Sequence, residues 1–358
     1  MPTMQDIADR AGVARATVSN VLTGRFPAKR SDAARRAAQI RRIATQLGYR
    51  PSTAARAVRT GRTGFIGMIR SPSLAYSVCD HAFEFGLDEA LHARGLCLLR
   101  DIIDEPLRQN SEHAQAPRIV RENAVDGLLI NYAFGTPPAV RQVLDRCRLP
   151  AIWINRKREE NCVRPNDQGA AIEATRYLIQ RGHRHIGFVC APAYPWQLEG
   201  ETHYSGPDRL AGYEQTLRQA GLPAHRIDLP LMSRHSHERV GHLLRCYVDL
   251  LRRPDRPSAV LCDGGGREMC HAAALLGLRV PQDLSVMTFD NDAGGDERVA
   301  VDRVLVRYWA MGRVAVSELC ALIDQPDRPR PAVLIPFEFH QAGTVAAPGP
   351  NPLPGGTV

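Results

Sequence analysis

Residues 11–22 read Ala11-Gly12-Val13-Ala14-Arg15-Ala16-Thr17-Val18-Ser19-Asn20-Val21-Leu22. Gly12 stops a helical pattern and Val13 opens a turn, after which Val18, Val21 and Leu22 share one side of a helix from about Arg15 to Leu22. Upstream, Thr3 and Asp6 place a capping hydroxyl and a first-turn carboxylate before a helix over Met4 to Ala11, with Ile7, Ala8 and Ala11 as its apolar stripe. Two short helices joined by a Gly-containing turn make a helix-turn-helix, whose second helix can enter a major groove. Downstream, Ala33, Ala37, Ile40, Ala44 and Leu47 line one face of a third helix from about Ser31 or Asp32 to Leu47, and Gly48 suits its left-handed cap.

The charge distribution points the same way. Residues 1–63 hold 13 Lys+Arg against three acids, a balance of +10, whereas the rest of the chain sums to −2. A small basic head on a near-neutral body is the footprint of polyanion binding, because clustered arginine neutralises phosphates and releases counterions. Only Lys29 and Lys157 are lysines, so arginine carries the positive charge. No stretch approaches the roughly 20 apolar residues that span a bilayer, and no apolar run follows the first residues as a secretory signal would. The nine cysteines are scattered without a Cys-x-x-Cys pair, which argues for reduced thiols and against a disulfide framework. A cytoplasmic protein is expected.

After Gly64, strand and helix signals alternate, as parallel-sheet α/β lobes require. Strands are expected over 65–69, 96–102, 126–131, 151–155, 185–190, 259–262 and 284–289. Helices are expected over 79–94, 116–123, 170–181, 208–220 and 268–276. Two similar halves facing one another would form a cleft for a small molecule. Four prolines and three glycines between Pro348 and Gly356 mark a tail after about Ala346, expected to be disordered.

The motifs carry a resemblance. Met4-Gln5-Asp6-Ile7-Ala8, residues 11–22, Leu47-Gly48-Tyr49-Arg50-Pro51 and the segment Ala54 to Thr63 resemble the opening of a LacI/GalR-family transcriptional regulator. In the body, Arg181 to Phe188, Asp208 to Tyr213, Val280 to Asp290 and Met311-Gly312-Arg313 resemble the same family in the same order. The resemblance implies an N-terminal all-α helix-turn-helix domain followed by an α/β periplasmic-binding-protein-like core of two parallel-sheet lobes crossed by three connections. The expected division is a DNA-binding domain over 1–50, a hinge helix or linker over 51–63, an effector-binding and dimerisation domain over 64–345, and the tail over 346–358.

By that resemblance Arg15 and Ala16 open the recognition helix toward base edges, with Asn20 one turn on. Arginine pairs bidentately with guanine and asparagine with adenine. Thr17 and Ser19 would hold phosphates, as would Thr3, and Arg25 and Lys29 would reach further phosphates from a loop longer and more basic than the family's. The hinge would bring Ala55 and Val58 to the minor groove, where Val58 replaces the family's leucine and should wedge less effectively. Ala14 stands where the family usually has a capping serine, so the cap comes from elsewhere or is absent.

Tyr76, Asn166, Arg209, Asp263 and Asp290 are the candidate effector-binding residues, each open to a competing role as helix cap, ion pair or packing. Tyr132, Phe134, Trp196 and Trp309 are further aromatics, more simply read as packing. Asp263-Gly264-Gly265-Gly266 lacks the spacing of a nucleotide P-loop. Neither His183 with His185 nor Cys262 with Cys270 and His271 has structural-zinc spacing, and Asp290 with Asp292 lacks a nucleophile. No cofactor or catalysis is therefore expected. The partners expected are double-stranded operator DNA of pseudo-palindromic sequence, a second copy of the chain, and a small-molecule effector, sugar-like by the family's habit although purine-responsive members exist. An enzyme or solute-binding protein with a DNA-binding appendage and an effector-blind architectural DNA binder are the alternatives.

Overall fold

The computed structural model describes residues 2–24, 31–50, 57, 60–70, 80–102, 118–122, 124–132, 142, 146, 149–190, 203–230, 236–290 and 300–349. They form two compact units, Met1–Gly64 and Phe65–Val358. Of the candidates, Arg25, Lys29, Ala55, Val58 and Tyr76 lie outside the described residues, as do Phe134 and Trp196.

The first unit is three helices: α1 (Met4–Ala11), α2 (Arg15–Leu22) and α3 (Ser31–Gln46). Thr3 and Asp6 form a reciprocal capping box at the start of α1, and Gly12 ends it in the left-handed region at φ 63°. Ala14 precedes α2 in extended conformation and supplies no side-chain cap. Ile7, Ala8, Val18, Val21, Ala37, Ile40, Ile43 and Ala44 are all buried together. A stripe from each helix therefore closes one small core, which fixes the angle at which α2 presents its other face.

The second unit is two lobes, each a six-stranded sheet covered by helices. The first lobe orders its strands β11-β5-β4-β3-β1-β2, all parallel. These are β1 (Phe65–Arg70), β2 (Cys97–Ile102), β3 (Gly127–Asn131), β4 (Ala151–Ile154), β5 (Cys162–Pro165) and β11 (Val333–Ile335). Helices α4 (His81–His92), α5 (Arg118–Arg121) and α10 (Tyr308–Asp324) belong to it. Its main core packs Met68, Leu129 and Ile152 of the sheet against Phe83 and Leu87 of α4 and Met311, Ala315 and Leu319 of α10. The second lobe orders β12-β10-β9-β8-β6-β7 and is parallel except where β12 runs against β10. Its strands are β6 (Ile186–Val189), β7 (His225–Ile227), β8 (Ala259–Cys262), β9 (Ser285–Asp290), β10 (Asp302–Val306) and β12 (Phe337–His340). Its helices are α6 (Asp167–Gln180), α7 (Ser205–Gln219), α8 (Ser236–Leu251) and α9 (Gly266–Leu275). Strands buried on both faces, such as β3, β6 and β8, read as continuous apolar runs, which parallel sheets require.

The chain passes between lobes three times: from β5 into α6 at Asn166, from β10 into α10 at Arg307, and from β11 into β12 at Pro336. Asn166 N–H donates to the Ile335 carbonyl at 2.9 Å, which ties two of these crossings together. Ala346, where the sequence places the start of the tail, is bonded to the second lobe. The Ala346 carbonyl lies 2.9 Å from His183 Nε2, and its N–H donates to Ser285 Oγ at 3.1 Å. The Pro/Gly composition after Ala346 hides that anchoring, which depends on partners far away in sequence. Among the described residues no helix is long and apolar enough to cross a membrane, and the described cysteines are free thiols.

Candidate functional sites in the head and at the lobe boundary

In the head, burying Val18 and Val21 turns Arg15, Ala16 and Asn20 outward, with Thr17 and Ser19 half-exposed beside them. The candidate base-reading set thus shares one helix with the two candidate phosphate-holding hydroxyls. Thr3 is placed differently. Its hydroxyl donates to Asp6 Oδ2 at 2.9 Å and accepts the Asp6 N–H at 3.3 Å. The Thr3 backbone N–H completes the box at 2.6 Å from the same carboxylate, and these bonds hold the Asp6 carboxyl below its ordinary range. Thr3 is therefore a cap first.

At the lobe boundary the structure brings Arg209 and Asp263 together and adds Asp167. Arg209, near the start of α7, donates from Nε to Asp167 Oδ1 at 2.7 Å and from Nη1 to Asp263 Oδ1 at 2.5 Å. Asp263 follows β8 and Asp167 opens α6, so three elements converge on one guanidinium. Its carbon lies 4.3 Å from the centre of the Phe289 ring and 5.8 Å from that of Phe337. Burial works against the charge on Arg209, but Asp263 and Asp167 outweigh it and hold its pKa above the ordinary value. Burial pushes the Asp167 carboxyl up, with Arg209 pulling against it.

Asn166 spends its side chain as the cap of α6, accepting the Gly169 N–H at 3.2 Å. Asp290, at the end of β9, lies 3.9 Å from Arg303 and 4.0 Å from Arg267, a looser arrangement than the Arg209 pairs. Tyr132 is fully buried in the first lobe's core, and Trp309 is part-exposed with its indole N–H on Glu89 at 3.0 Å. Next to Arg209, Asp208 pairs with Lys157 at 2.6 Å and with Arg164 at 3.7 Å. Tyr204 donates to Asn155 Oδ1 at 2.9 Å, and His203 Nε2 lies 3.2 Å from the Asn155 carbonyl. Asn155 itself holds a positive φ of 53° just after β4. These contacts stitch α7 of the second lobe to β4 and β5 of the first.

Asp167, Asn155, His203, Tyr204, Lys157 and Arg164 were not singled out in the sequence. Asp167 sits beside the candidate Asn166, but nothing local says that its partner is 42 residues away. The glycine run after Asp263 is explained by packing. A Cβ on Gly265, which has φ +74°, would stand 2.7 Å from the Tyr247 hydroxyl, and one on Gly266 would stand 2.5 Å from Thr288 Cβ. His183 is fully buried, with Nδ1 2.9 Å from Ser258 Oγ and Nε2 3.1 Å from Ser285 Oγ. Among the described residues no group of three or more His, Cys, Asp or Glu is placed to hold a metal ion.

Comparison with known proteins decides the family. Residues 3–52 match the model for bacterial regulatory proteins of the lacI family, and residues 175–345 match a periplasmic binding protein-like domain. Over 299 residues, 81% of each chain, the sequence is 31% identical to the HTH-type transcriptional repressor PurR of Pectobacterium atrosepticum. The PurR repressor of Escherichia coli is 30% identical over 302 residues, again 81% of each chain.

The chain belongs to the lacI family of bacterial regulatory proteins.

This lacI-family regulator also shares its fold with solved members. The lac repressor dimer bound to operator and the anti-inducer ONPF superposes with a TM-score of 0.69 at 19% identity, covering 97% of this chain and 99% of that one. A CelR–cellobiose complex superposes with a TM-score of 0.59 at 22% identity, covering 96% and 100%. As a lacI-family member the protein is a DNA-binding transcription regulator built from a helix-turn-helix domain and a periplasmic-binding-protein-like core.

Proposed function

We propose that this regulator is an effector-responsive repressor that binds a pseudo-palindromic operator as a homodimer. The observation that carries the reading is α2: Arg15, Ala16 and Asn20 are turned outward by the burial of Val18 and Val21, on a head with 13 basic residues and three acids. Arg15 and Asn20 read base edges, Ala16 offers a methyl contact, and Thr17, Ser19 and Thr3 set register on phosphates together with Arg25 and Lys29. Ala55 and Val58, in the 51–63 hinge, enter the minor groove. A single helix-turn-helix reads only a half-site, and two-fold symmetry doubles it.

The effector, sugar-like in this reading, occupies the lobe boundary beside Arg209, Asp263, Asp290 and Asn166, with Tyr76 as a candidate stacking ring. The three crossings let such a ligand change how the lobes meet, and it shifts the operator-binding equilibrium only through its differential affinity for the two states. No catalytic role is assigned. Two histidines have serine hydroxyls on their ring nitrogens, His183 with Ser258 and Ser285 and His203 with Ser205, and in each the other contacts bind the ring to the surrounding backbone, at the Ala346 carbonyl and the Asn155 carbonyl.

The test is to incubate the purified protein with fragmented genomic DNA and sequence what it retains. A short recurring palindrome beside transport or catabolic genes supports the reading. Even coverage without a motif, falling steeply with salt, would leave only a basic head.

A further inference from the structure

The three helices of the head turn their apolar stripes into one core, so their outer faces look in different directions. The outer face of α2 carries Arg15, Ala16 and Asn20. That of α3 has no part in the operator reading, yet it is the more basic. Ala37, Ile40, Ile43 and Ala44 point inward, which leaves Arg35, Arg41 and Arg42 exposed on the far side, with Arg36 exposed at its edge. Arg35 and Arg42 are two turns apart on one line, about 10 Å along the helix axis. Ala34, Ala38, Gln39 and Gln46 share the exposed surface and carry no charge.

The head has almost no carboxylate left to neutralise this face. Its three acids are Asp6, Asp9 and Asp32. Asp6 is spent on the Thr3 cap, and Asp9 accepts the Gln5 side-chain amide at 2.7 Å. Asp32 alone reaches the face, 3.3 Å from Arg35, with the two side chains 89% and 81% exposed. A pair so exposed contributes little and is screened by salt. Arg36, Arg41 and Arg42 hold no ion pair among the described residues. An arginine-rich composition does not account for this surplus. The body shares that composition, yet it sums to −2 and sets exposed arginines on carboxylates, Arg226 at 2.8 Å from Asp228 and Arg279 at 2.9 Å from Asp283. The α3 face also lacks the aromatic and large apolar side chains on which protein interfaces are centred. A nucleic-acid backbone needs only charge, because each arginine that meets a phosphate releases a counterion.

We propose that the outer face of α3, through Arg35, Arg41 and Arg42, is a second DNA-binding surface, which holds the phosphate backbone of another duplex while α2 occupies the operator. With α2 seated in a groove, the core stands between that groove and the α3 arginines, so they look away from the duplex that α2 reads. A homodimer carries two such faces and bridges two DNA segments. This second surface depends on the operator reading only in that α2 is the helix engaged there. It reads no sequence, since its contacts are to phosphates.

The experiment uses the full-length chain, an immobilised palindromic duplex that it selects from genomic DNA, and a fluorescent duplex of unrelated sequence. Capture of the second duplex is read at matched occupancy of the first. At about 50 mM salt the wild type should capture it, with a slope of roughly −3 per head in log affinity against log salt, about −0.9 for each of three phosphates. The triple variant Arg35→Gln, Arg41→Gln, Arg42→Gln should lower capture by about tenfold or more, while its affinity for a palindrome without flanking sequence stays within about twofold. Ala38→Glu is the second variant. Placed one turn before Arg42, its carboxylate supports the helix and neutralises the face, so capture lost there does not come from unfolding. A wild type that captures no second duplex would overturn the proposal, as would folded variants that capture as much as the wild type. So would a triple variant that weakens on the short palindrome as much as in capture, which would put α3 on the operator's own backbone. If no palindrome is selected, the operator reading fails, and capture is read between two duplexes of random sequence. Loss by both α3 variants there would still establish the second surface.

Discussion

At the scale of single residues, Arg15 and Asn20 carry the sequence information in this account, so removing either should relax discrimination more than total binding. Arg15→Ala or Asn20→Ala is expected to lose about 1–3 kcal/mol against the preferred operator and far less against random DNA, measured by fluorescence anisotropy on both duplexes at one salt concentration. Equal losses on both duplexes would mean a phosphate contact. Ala14 gives a prediction of opposite sign. It sits before α2 in extended conformation without a side-chain cap, so Ala14→Ser should raise stability by about 0.5–2 kcal/mol in a denaturant titration. The frame that carries these residues was legible in the sequence because it is local: the Thr3–Asp6 cap, the Gly12 turn and the helical period that buries Val18 and Val21. Arg209 and Asp263 were legible only as types. That they bind one another, and that Asp167 completes the set, depends on α6, α7 and β8 meeting at the lobe boundary, which no window of sequence contains. Asn166 caps α6 through its Oδ1, one of the roles the sequence left open for it beside ligand binding.

Among elements, the sequence exposed those with a strong period or a long apolar run. The bounds of α2 agree with the reading, and β6, β8 and β9 appear within a residue or so of their expected ends. The elements not anticipated are short or lie where the chain changes lobe. β7 and β11 have three residues each, and β10, β12 and α10 belong to the crossings, where the partner strand is far away in sequence. The amphipathic α8 also went unassigned, although it buries Tyr247, Leu250 and Leu251 against β8 and α9. Two junctions between elements can be tested. Asp302, buried at the start of β10, accepts backbone N–H bonds from Ala342, Gly343 and Thr344 at 2.6, 2.8 and 3.1 Å, pinning the last segment to the second lobe. Asp302→Ala strands those donors and should destabilise the protein by about 3 kcal/mol or more in urea. The second junction is His203, which joins α7 to β4. Burial, and then the Arg209 and Arg156 charges, lower its pKa to about 4 despite the Asn155 carbonyl and Asp208, which favour the charged ring. The folded state therefore refuses a proton that the unfolded chain accepts below its ordinary value near 6.5. Stability from this group is complete above pH 6.5 and is lost as the pH falls toward 4. His203→Gln should flatten that part of the urea midpoint against pH; His183 and His185, also depressed by burial, account for slope that persists.

For the whole molecule the decisive feature is the separation of charge, +10 in residues 1–63 against −2 in the remainder. A body that is nearly neutral adds little attraction for DNA, so the salt dependence of operator binding should originate in the head alone. Each phosphate neutralised contributes a slope of roughly −0.9 in log affinity against log salt, and a regulator making 6–10 such contacts weakens by about 10³–10⁵ between 50 and 200 mM salt. Lys29→Ala should reduce that slope by about 1 per head, because Lys29 is assigned to a phosphate and not to a base. Arg218→Ala, on the exposed side of α7 in the second lobe, should leave the slope unchanged. Titrating all three proteins against one palindromic duplex from 50 to 200 mM salt separates the cases. If Arg218→Ala lowered the slope as much as Lys29→Ala, the body would share in DNA contact. The division of labour would then fail: a head that senses phosphate, and a pair of lobes whose charges are spent on one another at the boundary they close.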